Sequence, residues 1–218
     1  MANSRLNNLI PNLFPLLLLS VFIFSSCSLF RNRAETEAIP ANKTDEGVVI
    51  NGIRWATRNV DMPGTFAANP EDAGMFFQWN RRKGWAVTGY EYPNSIPGWD
   101  NSTPTGTAWY AENDPCPEGW RVPTREELES LYYASSEWTT KNGVNGRLFG
   151  IAPNQLFLPA ARCRYSAGAL STVGGWGCYW SSSANSARNG WFLHFFSGGS
   201  RVGTLTRVHG FSVRCVSK

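Results

Sequence analysis

Two cysteine-containing blocks, about a hundred residues apart, constrain the fold of this chain most strongly. They read Asp114-Pro115-Cys116-Pro117-Glu118-Gly119-Trp120-Arg121-Val122-Pro123-Thr124 and Gly210-Phe211-Ser212-Val213-Arg214-Cys215-Val216, each with a strand-like apolar segment beside its cysteine. In the first block, Pro123 keeps Val122 extended, Thr124 is a good N-cap, and Glu127 completes a capping box. A helix is therefore predicted to begin at Thr124. Leu128, Leu131 and Tyr132 follow at i, i+3 and i+4, which predicts one buried helix face.

Further motifs occur along the chain in a recognisable order. They are Trp55-Ala56-Thr57-Arg58-Asn59-Val60, Gly74-Met75-Phe76-Phe77-Gln78-Trp79, Leu158-Pro159-Ala160-Ala161 and Tyr179-Trp180-Ser181-Ser182, besides the two cysteine blocks. Together they resemble the Fibrobacter succinogenes major paralogous domain, a C-type-lectin-like module of bacterial envelope proteins. The resemblance implies an α+β fold with short antiparallel strands, one or two helices and long loops. It implies no shared reaction, since that family is defined by its framework.

The sequence has five cysteines, so four follow Cys27. An even set in an exported protein favours disulfides over metal binding, and four cysteines permit three pairings. The resemblance implies a bridge from Cys116 to Cys215, because the corresponding C-type-lectin bridge ties the helix region to the last strand. Cys163 and Cys178 then remain on either side of a Gly-rich turn. Their pairing is expected from this arithmetic alone.

The N-terminus is typical of a lipoprotein signal peptide over residues 1–27. Arg5 precedes the apolar run from Leu13 to Phe24, and Ser25 and Ser26 lead to Cys27, the predicted lipidated residue. The run is shorter than the roughly 20 apolar residues of a membrane-spanning helix. Because Phe24 replaces the usual aliphatic residue, a cleaved secretory signal or an uncleaved anchor remain alternatives. The prediction is a cell-envelope protein, lipid-anchored in the outer membrane and facing the periplasm or the surface.

The rest of the chain divides into a tether and one domain. Residues 28–47 carry charges and few apolar side chains, which predicts a flexible tether. Residues 48–218 are long enough for one C-type-lectin-like domain with a good core. The net charge is only +4 and the basic residues are scattered among acids. Nucleic acid is therefore not expected as a partner.

Aromatic and arginine side chains in loops are the candidate ligand-binding residues. The stretch from Trp85 to Tyr110 is a long loop with many aromatics, and long loops are commonly functional. Within it Trp99 stands between Gly98 and Asp100, where an exposed ring would suit stacking on a sugar or an apolar side chain. The full set of candidates is Trp99, Trp109, Tyr110, Arg164, Tyr165 and Trp176. The predicted partner is a glycan or an envelope protein, bound without catalysis.

An enzyme of the formylglycine-generating and sulfatase-modifying superfamily is the alternative. Gly74-Met75-Phe76-Phe77-Gln78-Trp79 resembles one of its framework motifs. That oxidase needs two closely spaced cysteines shortly before the terminal strand, and residues 192–209 contain none. His194 and His209 have no partner at short ligand spacing, so neither a metal site nor a cofactor is expected. Oxygen-rich segments at 100–103 and 112–114 leave an ion of another geometry open.

Overall fold

The computed structural model describes residues 44–171 and 174–218. Cys27, the signal peptide and residues 28–43 of the predicted tether lie outside the described residues. Among those that are described, no helix has the length and apolar character that crossing a bilayer requires. The packed body begins before residue 48, because the buried Asp45 carboxylate binds the Thr57 backbone N–H at 3.0 Å and pairs with Arg58 at 3.2 Å.

Thirteen strands build the described part of the chain. They are β1 (Val48–Ile50), β2 (Ile53–Trp55), β3 (Phe76–Gln78), β4 (Gly84–Trp85), β5 (Trp120–Arg121), β6 (Ser136–Lys141), β7 (Val144–Ile151), β8 (Asn154–Pro159), β9 (Trp176–Ala184), β10 (Asn189–Phe196), β11 (Gly199–Thr206), β12 (Gly210–Phe211) and β13 (Val216–Ser217). They form four small antiparallel sheets, ordered β1-β2-β13-β5, β11-β10-β9, β12-β3-β4 and β6-β7-β8. The described helices are α1 (Arg125–Tyr132) and a 3₁₀ turn, Ala111–Asn113.

The fold is therefore largely β, and the α+β prediction is wrong. Short antiparallel strands and long loops are present as expected, but helix α1 has only 8 residues and forms no layer of its own. The segment after α1 makes the hairpin β6-β7 through Asn142 and Gly143, which both adopt positive φ. An Asn-Gly pair is the strongest short-range hairpin signal in a sequence.

Helix α1 begins where the capping box predicts. The Glu127 backbone N–H donates to Thr124 Oγ1 at 3.3 Å, and the Thr124 N–H donates to Glu127 Oε2 at 2.7 Å. Arg121 adds a two-pronged contact to the same carboxylate, at 2.7 and 2.6 Å. Leu128 and Leu131 are buried as expected, whereas Tyr132 is 37% exposed.

The last strand, β13, closes the body between β2 and β5. Val216 of β13 pairs with Trp55 of β2 on one side and with Arg121 of β5 on the other. One residue earlier, Cys215 forms a disulfide with Cys116, with the Cα atoms 6.1 Å apart. This confirms the predicted pairing. The C-terminus is thus held by strand hydrogen bonds and a covalent bond at the same place.

Three buried arginines hold irregular backbone in place. Arg164 donates to the carbonyls of Ala86, Thr88, Gly89 and Gly168, and Arg214 donates to Asn59 Oδ1 and the Ala56 carbonyl. Arg207 donates to the carbonyls of Pro104, Gly106, Ser186 and Asn189. Burial lowers the pKa of each, that of Arg214 to about 10. Loop carbonyl groups that lack a partner in a strand thus accept hydrogen bonds from these guanidinium groups.

Candidate functional site

A cleft of about 680 Å³ opens beside the disulfide, and it is the candidate ligand site. We call it the disulfide cleft. Its apolar lining consists of Trp109, Ala111, Cys116, Pro117, Trp120 and Val122. Exposed charged side chains stand on its rim, namely Arg82, Glu118 and Lys218. Ligand sites are usually such concave, mostly apolar surfaces with a few polar groups that orient the ligand.

Asp114 organises the turn that carries the cleft. Its carboxylate accepts from the Cys116 N–H at 2.8 Å and from the Val122 N–H at 3.1 Å. Burial raises the pKa of Asp114, and these hydrogen bonds together with Lys218 and Arg82 counteract only part of that effect. Arg82 also donates to the Asp114 carbonyl at 2.6 Å. The Arg82 cation is thereby fixed at the rim.

Two tryptophans form the floor of the disulfide cleft. The Trp109 backbone N–H donates to the Ser182 carbonyl and its indole N–H donates to the Asn113 carbonyl, both at 2.9 Å. Trp120 meets Phe66 edge-to-face, with ring centroids 5.7 Å apart. Fixed aromatic rings beside charged groups can bind a ligand that has both an apolar face and polar substituents.

Trp99 is not the exposed platform that the sequence predicted. Its side chain is only 9% exposed, and its indole N–H donates to the Ser166 carbonyl at 2.9 Å. The ring packs on Trp85 with centroids 4.9 Å apart. A Cβ added to Gly168 or to Gly210 would come within 2.8 Å of this ring, so both glycines make room for it. The turn-rich sequence around Trp99 does not indicate that Ser166 and Gly168, more than sixty residues away, contact its side chain.

The other candidates fall into different settings. Trp109 is only 8% exposed but lines the disulfide cleft, and Tyr110 is 42% exposed next to it. Arg164 is fully buried as a loop clamp, so its prediction as a ligand-contacting residue is wrong. Tyr165 is partly exposed against Tyr92, at 6.3 Å between centroids, and Trp176 lies edge-on to His194 at 5.5 Å. These candidates do not form one continuous face around the long loop.

Cys163 and Cys178 are free and buried, so the predicted second bridge is not present. The parallel bridge between Arg162 and Gly177 sets the two cysteines side by side. Their thiols share a hydrogen bond that lowers the pKa of Cys163, while burial raises the pKa of Cys178. The number of cysteines correctly predicted that Cys163 and Cys178 are neighbours, but it could not determine whether their sulfur atoms form a disulfide.

The residues considered for a metal occupy separate positions. Between residues 44 and 218, the gap at 172–173 aside, no group of three or more His, Cys, Asp or Glu side chains could hold a metal ion. His194 packs among aromatic rings, and His209 Nδ1 lies 2.8 Å from Thr206 Oγ1. Burial lowers the pKa of both histidines. Asp100 pairs with Arg81 at 2.5 Å and accepts from the Ser102 N–H.

Sequence reasoning missed the cationic groups of the disulfide cleft. Arg82 belongs to the basic run Arg81-Arg82-Lys83, and this run was the available signal. For Lys218 the signal was the expected Cys116–Cys215 bridge, which brings the C-terminus to the first cysteine block, where β13 pairs with β5. The Lys218 backbone N–H donates to the Gly119 carbonyl at 3.0 Å, which places this residue on the rim.

The model of one family, described as the Lcl C-terminal domain, matches residues 52–217. The match includes every lining residue of the disulfide cleft except Lys218. It does not confirm the more specific resemblance to the Fibrobacter domain. No curated protein and no solved structure matches the chain.

Proposed function

The chain belongs to the Lcl C-terminal domain family, and from that membership we propose that its domain is a non-catalytic binding module of the cell envelope. The ligand is a glycan or another envelope protein. The observation that carries this proposal is the disulfide cleft, with two tryptophans at its floor and fixed charges on its rim.

The rigidity of this cleft supports binding. Its walls meet at the Cys116–Cys215 bridge, and Asp114, Arg82 and the last strand hold them together. A site whose side chains are already in place loses little conformational entropy when it binds a ligand. The rings offer apolar faces for a sugar ring or an apolar side chain, and the rim charges can pair with polar substituents.

The arrangement of reactive groups favours binding over the enzyme alternative. The formylglycine-generating and sulfatase-modifying superfamily needs cysteines that substrate can reach, and here the Cys163 and Cys178 thiols are both buried. The disulfide cleft offers Asp114 as a partly buried carboxylate, and that group accepts hydrogen bonds from two backbone N–H donors. Neither feature supplies an accessible nucleophile.

The N-terminal sequence supports attachment to a membrane. A lipid on Cys27 would tether the domain to the outer membrane, facing the periplasm or the surface. Cys27→Ala should abolish palmitate labelling and release the protein from membranes, because the lipid is the proposed anchor. Unchanged labelling of the variant would remove this part of the proposal.

The test of binding uses a matched pair of cleft variants. The full-length protein is applied to arrays of immobilised glycans and of purified envelope proteins, and any hit is titrated. Ala111→Trp places a large ring in the disulfide cleft at an exposed position, whereas Ala68→Trp makes the same change in a cleft to which no ligand is assigned.

Ala111→Trp should weaken binding of the hit at least about tenfold, since it fills the space that the ligand occupies. Ala68→Trp should leave it within about twofold of the wild type. Equal affinities for both variants and the wild type would show that the disulfide cleft is not the binding site.

A further inference from the structure

A second cleft, of about 630 Å³, is lined by residues 103–107, by residues 184–187 and by Arg207. Its polar lining consists of Thr103, Thr105, Thr107, Asn185, Ser186 and Arg207, and we call it the threonine cleft. The Ala184 backbone N–H donates to the Thr107 carbonyl at 3.4 Å, and a β-bridge joins Ala108 to Ser183. The disulfide cleft is lined by later and earlier residues of the same two segments, Trp109 and Ser182.

Arg207 is the charged group of the threonine cleft, and it is only 1% exposed. The guanidinium lies over the Trp79 ring, 4.0 Å from its centroid. Nη1 donates to the carbonyls of Pro104 and Gly106, at 3.1 and 2.7 Å, and Nε donates to the Asn189 carbonyl at 3.4 Å. The aromatic ring and the loop carbonyls therefore hold the cation in one orientation.

The charge of Arg207 is not balanced by an anion. In the described part of the chain, its hydrogen-bond acceptors are neutral carbonyls and it belongs to no ion pair with Asp or Glu. Nη2 uses one N–H on the Ser186 carbonyl, so its other N–H has no acceptor among the described residues. A buried charge without a counter-charge is costly, and a carboxylate is the partner that a guanidinium binds best.

The rest of the lining suits a small polar anion. Thr103, Thr105, Thr107, Asn185 and Ser186 are all exposed and can both donate and accept hydrogen bonds. The lining includes no acidic side chain that would repel an anion. Beside it, the Tyr110 ring lies over Gly106, where an added Cβ would come within 2.7 Å of the ring and its hydroxyl.

From this arrangement we propose that the threonine cleft binds a ligand through a carboxylate, which takes the remaining N–H of Arg207 while the hydroxyl groups hold the rest of the molecule. The carboxylate belongs to a peptide terminus or to a sugar acid, since both combine it with hydrogen-bonding groups. This site is separate from the disulfide cleft, and it can exist whether or not the disulfide cleft binds a ligand.

Thr105 is the position to vary, because Arg207 also clamps two loops. The Thr105 side chain is exposed, and within the described residues its backbone carbonyl alone is hydrogen-bonded, by Asn80 Nδ2 at 3.0 Å. Thr105→Asp introduces a negative charge into the lining, and Thr105→Asn has nearly the same shape without that charge. Any difference between the two variants therefore reports on charge.

The experiment titrates full-length protein with two matched pairs of probes by calorimetry and ligand-observed NMR. One pair is N-acetylalanine and N-acetylalaninamide, and the other is galacturonate and galactose. In at least one pair, the acid should bind about tenfold more tightly than its neutral partner, because a charge-assisted hydrogen bond is lost in the neutral compound. The pair that shows the difference identifies the source of the carboxylate.

Thr105→Asp should bind that acid about tenfold more weakly than Thr105→Asn does, while Ala111→Trp leaves the affinity within about twofold of the wild type. Three results would each overturn the proposal. They are equal affinity for acid and neutral probe in both pairs, equal affinity in the Asp and Asn variants, and no binding of either acid at concentrations on the order of 10 mM.

Discussion

Trp99→Ala tests whether the long aromatic loop is part of the core. The Trp99 side chain is 9% exposed, contacts the Trp85 ring and donates its indole N–H to the Ser166 carbonyl. A buried tryptophan covers about 150 to 250 Å², and at about 25 cal/mol per Å² that area is worth roughly 4 to 6 kcal/mol. Alanine at this position still buries part of that area. The free energy of unfolding should therefore fall by about 3 to 5 kcal/mol.

The measurement is urea denaturation followed by circular dichroism, which does not depend on the tryptophan removed. Tyr92→Ala is the control, because Tyr92 belongs to the same loop but is 76% exposed. That variant should lie within about 0.5 kcal/mol of the wild type. The reasoning would be refuted if Trp99→Ala also stayed within about 0.5 kcal/mol.

Three further predictions concern the cysteines and helix α1. The double variant Cys116→Ser/Cys215→Ser opens a loop whose ends are 99 residues apart, and should lose about 4.7 kcal/mol of stability in denaturation experiments; an unchanged transition would contradict the structural role of the bridge. Burial acts to raise the pKa of Glu127, but hydrogen bonds from Arg121 and Thr124 outweigh this effect, so the pKa is lowered in the folded protein. The stabilisation that the Glu127 carboxylate contributes is therefore fully present above its unfolded-state pKa and is lost as the pH falls through its folded-state pKa. Glu127→Gln should therefore reduce stability at pH 7 and much less at pH 3, and an equal loss at both would be inconsistent with this ion pair. In a Cys27→Ser background, Cys163 and Cys178 should react with a thiol reagent only on unfolding, because both are buried; rapid reaction of the folded protein would show that they are accessible.

Short-range features of the fold could be predicted from sequence. The start of α1 depends on Thr124 and Glu127, which are three residues apart, and the structure has both hydrogen bonds of the capping box. The Cys116–Cys215 bridge was implied by motif resemblance and is confirmed. The hairpin at Asn142 and Gly143 could also be predicted, because these two adjacent residues specify its turn.

The candidate site was only partly predictable. Trp109 and Tyr110 were named as candidates, and Trp109 does line the disulfide cleft. Trp99 and Arg164 were placed on the surface, and both are buried. Their loops are rich in turn-forming residues, which indicate irregular backbone but carry no information on what the side chains contact.

What the sequence determined by itself was therefore local or covalent: the helix cap, the turns, and the cysteines available for a bridge. Tertiary structure decided which side chains are buried and which clefts they form. Trp99 finds its carbonyl 67 residues away, and Arg207 finds the Pro104 carbonyl 103 residues away. Many carbonyl groups of nearly equal chemistry could accept a hydrogen bond from a given donor. The packing of the whole body, and not the neighbouring residues, therefore determines which carbonyl does so.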